Sequence, residues 1–166
     1  CLCDAGDANG DGNVNVTDIV ALVGVILGDD NDLTSCADVN GDGQLNVTDI
    51  VATVSIILGT ARSADATSAE IIKSADGVSM KANGFIGAVQ MTLSHDDNFS
   101  INLTNDAMVA ESRTNGNSTT LIIVTPGSDE LFTTTGNYQV EEVIVANSSS
   151  VIDETITLPE TFGLST

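Results

Sequence analysis

The chain carries two short segments that are too apolar for their length. Residues 18–27 read Asp-Ile-Val-Ala-Leu-Val-Gly-Val-Ile-Leu and stop at Gly28; residues 49–58 read Asp-Ile-Val-Ala-Thr-Val-Ser-Ile-Ile-Leu and stop at Gly59. Periodicity alone does not separate such runs from buried strands. An acid near each N-terminus (Asp18, Asp49) suits the helix dipole, and a glycine past each end suits a helix stop, so both segments are expected to be helices. Ile19, Leu22, Ile26 and Leu27 make one apolar stripe, as do Ile50, Ile57 and Leu58. Val16, Val20, Val23 and Val25, with Val47, Val51, Val54 and Ile56, are then left over on the outer faces. A soluble domain rarely leaves such a surface in water, which predicts that downstream residues or a partner protein cover it. Burying four of these side chains is worth about 6 kcal/mol before association costs.

Beyond residue 67 the period changes. Short alternating runs follow one another between Gly, Asn, Asp and Ser turns, as in Val89, Met91 and Leu93 against Gln90 and Thr92. Strands are expected at 69–73, 77–82, 86–94, 99–103, 107–113, 119–125, 138–146 and 151–158, with turns at Asn83-Gly84 and Asn115-Gly116. The predicted organisation is therefore α+β and multidomain: a small two-helix unit over 1–60, a small polar linker over 61–67, and an antiparallel β-sandwich over 68–166.

The residues just before each helix bring in chemistry. Asp7-Ala-Asn-Gly-Asp-Gly-Asn-Val-Asn-Val-Thr-Asp18 and Asp38-Val-Asn-Gly-Asp-Gly-Gln-Leu-Asn-Val-Thr-Asp49 are near copies; over 7–28 and 38–59, 16 of 22 positions are identical. Calcium takes six to eight oxygens, and a twelve-residue loop supplies them from positions 1, 3, 5, 7, 9 and 12 around a glycine at 6. In the first loop these are Asp7, Asn9, Asp11, the carbonyl of Asn13, Asn15 (directly or through water) and Asp18, with Gly12 at the turn. In the second they are Asp38, Asn40, Asp42, the carbonyl of Gln44, Asn46 and Asp49, with Gly43. Two calcium ions are the expected cofactors.

No entering helix precedes either loop, and position 12 is Asp where an EF-hand carries Glu. On these residues the segment 7–59 resembles a type I dockerin, a duplicated loop–helix module that binds cohesin domains and so attaches secreted enzymes or adhesins to scaffolds. The resemblance implies a non-catalytic, calcium-dependent interaction module. It implies partner contacts at loop positions 10 and 11, here Val16, Thr17, Val47 and Thr48, and about six residues further on, at Val23, Gly24, Val54 and Ser55. With the outer-face residues Val20 and Val51, these form the expected partner surface. Near-identical repeats are similar to those of dockerins that bind in two orientations. Gly87-Ala-Val-Gln-Met-Thr-Leu-Ser-His-Asp96 gives the second region a weaker resemblance to a cohesin-like or immunoglobulin-like sandwich. The implied partner is a cohesin-like β-sandwich, in cis or in trans.

Charge narrows the alternatives. The net charge is −20, and the only basic residues are Arg62, Lys73, Lys81 and Arg113. Nucleic acid is excluded as a partner by that sign, and no apolar run is long enough for membrane insertion. Cys1, Cys3 and Cys36 make an odd set; a bridge from Cys36 to Cys3 or Cys1 would clip the chain start to the inter-repeat loop and imply an oxidising, secreted or cell-surface setting. The ends carry no evident signals, which reads as a piece of a longer secreted bacterial protein. His95-Asp96-Asp97 reads as a polar turn, Asp129-Glu130 and Glu141-Glu142 as solvated charges, and no nucleophile elbow, HExxH or phosphate loop occurs, so no catalysis is expected. Two alternatives remain: a calcium-stiffened spacer of a cell-surface protein, or a carbohydrate-binding sandwich.

Overall fold

A computed structural model describes residues 3–28, 32–59 and 64–157. Each repeat forms one helix: α1 over Val16–Ile26 and α2 over Val47–Leu58. Both begin earlier than the apolar runs suggest, because Asn15 and Asn46 are the N-caps. Each cap side chain accepts from the backbone two residues on, and the N3 acid, Asp18 or Asp49, reaches back to the cap's own N–H, closing a capping box. The signal was present in Asn-Val-Thr-Asp, read as a ligand pattern and not also as a cap. A 3₁₀ turn, Ser35–Ala37, separates the repeats and ties to the chain start. Cys3 and Cys36 form a disulfide, Gly6 N–H donates to the Cys36 carbonyl, and the Thr34 hydroxyl donates to the Asp7 carbonyl. Cys1 lies outside the described residues.

Among the described residues nine strands follow: β1 Ser68–Ser74, β2 Gly77–Ala82, β3 Ala88–His95, β4 Ser100–Leu103, β5 Ala107–Asn115, β6 Ser118–Pro126, β7 Glu130–Thr135, β8 Tyr138–Ala146 and β9 Val151–Thr157. The expected linker 61–67 falls partly on residues outside the description; within it, Asp65 already bridges to Phe85. The ladder runs β4-β7-β2-β1-β9-β8-β3-β6-β5. It doubles over at β9, whose first residues pair antiparallel with β8 and whose remainder pairs parallel with β1. The expectation of a wholly antiparallel sandwich is corrected at that one pair. One apolar core lies between the two halves, with Ile71, Val78, Val89, Met91, Leu93, Leu121, Ile123 and Phe132 all buried.

β7 was not expected. Leu131 and Phe132 are adjacent and both buried, and Thr133, Thr134 and Thr135 follow, so the segment has no alternation to read. Asp129-Glu130 is accordingly not a free loop: Glu130 opens β7, and the Asp129 carbonyl accepts from Met80 N–H.

A second core lies on the outer face of the β5-β6-β3-β8 half. Ala88, Val109, Ile122, Val124 and Ala146 of the sheet are buried in one cluster with Ile19, Leu22 and Val23 of α1 and Val47, Ile50, Val51 and Val54 of α2. The two helices therefore lie on the sheet as a third layer. β6 shows the consequence most directly: Leu121 and Ile123 face the sandwich core, Ile122 and Val124 the helices, and all four are fully buried.

Candidate functional site

The two loops share one hydrogen-bonded skeleton. In the first, Asp7 accepts from the N–H of Gly10 and Gly12, Asn9 Oδ1 from Asp11, Asp11 Oδ1 from Asn13, and Asp18 from Asn9 and Asn15. In the second, Asp38 accepts from Gly43 (2.8 Å), Asn40 Oδ1 from Asp42, Asp42 Oδ1 from Gln44 (2.9 Å), and Asp49 from Asn46 (3.1 Å). These bonds fix side-chain direction, and the backbone turns needed to make them place Gly10, Gly12, Gly41 and Gly43 at positive φ, where a β-carbon is costly.

The result is two acidic clusters. One carboxylate oxygen from each of Asp7, Asp11 and Asp18 lies within 4.8 Å of the others, and Asp38, Asp42 and Asp49 repeat the arrangement. Asp18 and Asp49 are fully buried. Burial pushes the Asp49 carboxyl up from its ordinary value, and the Asp38 and Asp42 carboxylates push it further, against the lowering effect of its backbone donors. Every basic residue of the chain lies outside the two repeats, so neither cluster is balanced by a side-chain cation of its own segment. Asp38 Oδ1 is buried with no hydrogen-bond partner, an arrangement that costs free energy unless something else takes up its lone pairs. A hard divalent cation with oxygen preference fits this donor set.

Two of the expected ligands have another task. The Asn15 and Asn46 side-chain oxygens cap α1 and α2, each also accepting from the hydroxyl of Thr17 or Thr48 at 2.5 Å. Those hydroxyls in turn accept from the amides of Asn9 and Asn40. Thr17 and Thr48, expected at a partner surface, thus brace the ligands at loop position 3.

The remaining partner-surface residues divide by repeat. Val47, Val51 and Val54 are 2%, 0% and 0% exposed, and they pack in the cluster that includes the sheet. Of their counterparts, Val23 is buried, but Val16 and Val20 are 39% and 43% exposed. α2 sits so close to the sheet that a β-carbon on Gly87 would meet Val51 Cγ1 at 2.6 Å and the Asn147 carbonyl at 2.6 Å. The Ser55 hydroxyl donates to the Ser148 carbonyl in the β8–β9 turn at 2.9 Å.

The other polar motif is structural. His95 ends β3; its ring contacts the Asp96 carbonyl and the Thr119 hydroxyl and stacks on Phe99 at 4.1 Å between centroids. Phe99 and Phe132 each pack against Tyr138, whose hydroxyl donates to the Ser74 and Gly77 carbonyls. Burial pushes the Tyr138 hydroxyl up to about 12.

Among proteins of known family, the model described as dockerin type I domain matches residues 5–57. No curated protein matches the chain. Among solved structures, the chain is similar to a non-cellulosomal cohesin from the hyperthermophilic archaeon Archaeoglobus fulgidus, at 14% identity and a TM-score of 0.37, over 58% of this chain and 88% of that one. A likeness that distant says nothing of what the sheet binds. The loop–helix repeats described above fall within that match: residues 5–57 are a dockerin type I domain, which in this chain lies against a β-sandwich.

Proposed function

We propose that the chain is a non-catalytic, calcium-dependent interaction module of a secreted protein, and that its dockerin seats on the adjoining sandwich in cis. Two ions are bound, one by Asp7, Asn9, Asp11, the Asn13 carbonyl and Asp18, the other by Asp38, Asn40, Asp42, the Gln44 carbonyl and Asp49. Asn15 and Asn46 contribute through water, since their side-chain oxygens cap the helices. When bound, the ions neutralise the crowded carboxylates and hold each loop against the first turn of its helix. The Cys3–Cys36 bridge supports an oxidising compartment. Non-catalytic use is supported by His95, the chain's single histidine, whose ring is engaged on both nitrogens.

One observation carries the cis reading: Val47, Val51 and Val54 share a single apolar cluster with Ala88, Ile122, Val124 and Ala146. Small-angle scattering of the full chain in saturating calcium, with sedimentation to fix the mass, tests it. A compact monomer is expected. Two separated bodies, or a dimer in which the helices sit on another copy's sheet, would sink it.

The exposed strip of Val16, Thr17 and Val20 favours a second reading alongside the first, in which α1 engages a cohesin-type sheet in trans. Capture of such a domain by the full chain, lost on Val16→Asp with Val20→Asp, would support it; undiminished capture would remove it.

A further inference from the structure

We infer that the second calcium loop is thermodynamically coupled to the seating of the helices on the sheet more strongly than the first. This rests on the calcium-dependent, cis-seated reading above and names how the seat is controlled. The argument starts from the first turn of each helix. Asp49 is both the last acid of the second loop and the N3 residue of α2, where it accepts from Asn46 N–H. Ordering that loop therefore orders the turn that carries Val47 and Val51, and both are buried against the sheet-facing cluster. Conversely, a seated Val51, wedged over Gly87, holds the same turn in place and removes part of the ordering cost of ion binding.

The first loop makes the same bonds through Asp18 and Asn15, but the turn it orders carries Val16 and Val20, which face water. Of the residues of that turn only Ile19 joins the sheet cluster, whereas in α2 Val47, Ile50 and Val51 all do; Leu22 and Val23 follow further along α1. Seating therefore fixes less of the first loop's turn, through Ile19 alone, than of the second loop's. Linkage makes the effect reciprocal: whatever seating adds to affinity at the second loop, an ion there adds to seating.

The test is calcium calorimetry on the full chain in two backgrounds. Asp7→Ala with Asp11→Ala leaves the second loop to report; Asp38→Ala with Asp42→Ala leaves the first. Each is measured with and without Ile122→Gln plus Val124→Gln, which make the seat polar at a distance from both loops without adding charge. The second loop is expected to lose affinity by about tenfold, within the usual range of such couplings, and the first by less than about twofold. Equal losses at both loops, or none at the second, would overturn the inference. If Tyr138 fluorescence shows that the sheet variant disturbs the sandwich, Val51→Gln, which leaves the sheet's own residues intact, decides by the same criterion. A wild-type chain that scatters as two separated bodies in saturating calcium would instead overturn the seating itself.

Discussion

The two repeats are nearly the same sequence in two different surroundings. Val16 and Val20 of α1 are exposed; Val47 and Val51 of α2, the same repeat positions, are buried. The first turns do not set this difference, since Asn-Val-Thr-Asp-Ile-Val-Ala occurs identically in both; further along, Ser55, which bonds to the Ser148 carbonyl, stands where α1 has Gly24. Connectivity also differs. α2 is the helix that leads into the sandwich, and the chain after it returns at once to the sheet through the Asp65–Phe85 bridge, two residues before Gly87. Both helices lie on the sheet, but the tethered one buries its first-turn valines there. Identical side chains thus become core in one copy and surface in the other, which shows that apolarity alone specifies an available face and not its occupant.

The largest effect that can break this comparison is removal of calcium. With −20 net charge on the chain and three carboxylates converging in each loop, excess chelator is expected to melt both helices and so lift the whole layer off the sheet. Far-ultraviolet circular dichroism should lose its helical signal. Emission from Tyr138, the chain's single tyrosine and a core residue of the sandwich, should stay close to its native value. Helices that persist without metal would refute the loops' role.

Next comes a matched pair of substitutions. Val51→Asp buries a charge at the seat and is expected to cost about 2–4 kcal/mol, bounded by the free energy of seating because the helix is able to lift away. Val20→Asp puts the same residue at the equivalent but exposed position and should stay within about 0.5 kcal/mol. Urea unfolding in calcium measures both. Equal effects would mean that the repeats are not in different environments.

Gly87→Ala probes the same seat from the sheet side. Its new β-carbon would meet Val51 and the Asn147 carbonyl, each at 2.6 Å, so something must shift, at about 1–3 kcal/mol. Hydrogen exchange locates the damage: protection is expected to fall in α2 more than in α1.

Much of this was legible beforehand. Loop spacing gave the acidic clusters, because those positions are dictated by the oxygen count of one ion. The excess of apolar residues on two short helices announced a cover, which the sheet layer supplies for Val23, Val47, Val51 and Val54, while Val16, Val20 and Ile56 stay exposed. β6 carried a further signal, since its unbroken Leu121-Ile122-Ile123-Val124 run is what a strand buried on both faces looks like. What stayed hidden depends on distant partners. β7 is polar threonine after Phe132, and it is a strand through ladder pairing with β2 and β4, which lie far from it in sequence. The parallel β1–β9 pair joins the two ends of the sandwich, a register no local pattern encodes.

The smallest effect concerns the caps. Asn15→Ala and Asn46→Ala remove the same capping box, for about 1 kcal/mol each if capping were all that mattered. The two should nevertheless differ. Losing the first cap frays a turn whose outer residues already face water. Losing the second frays the turn that presents Val47 to the sheet, so part of the seat goes with it. Thermal unfolding in saturating calcium is expected to place Asn46→Ala below Asn15→Ala by a few degrees, and the gap should close once Ile122 and Val124 are replaced by glutamine, because the seat that separates the two repeats is then gone.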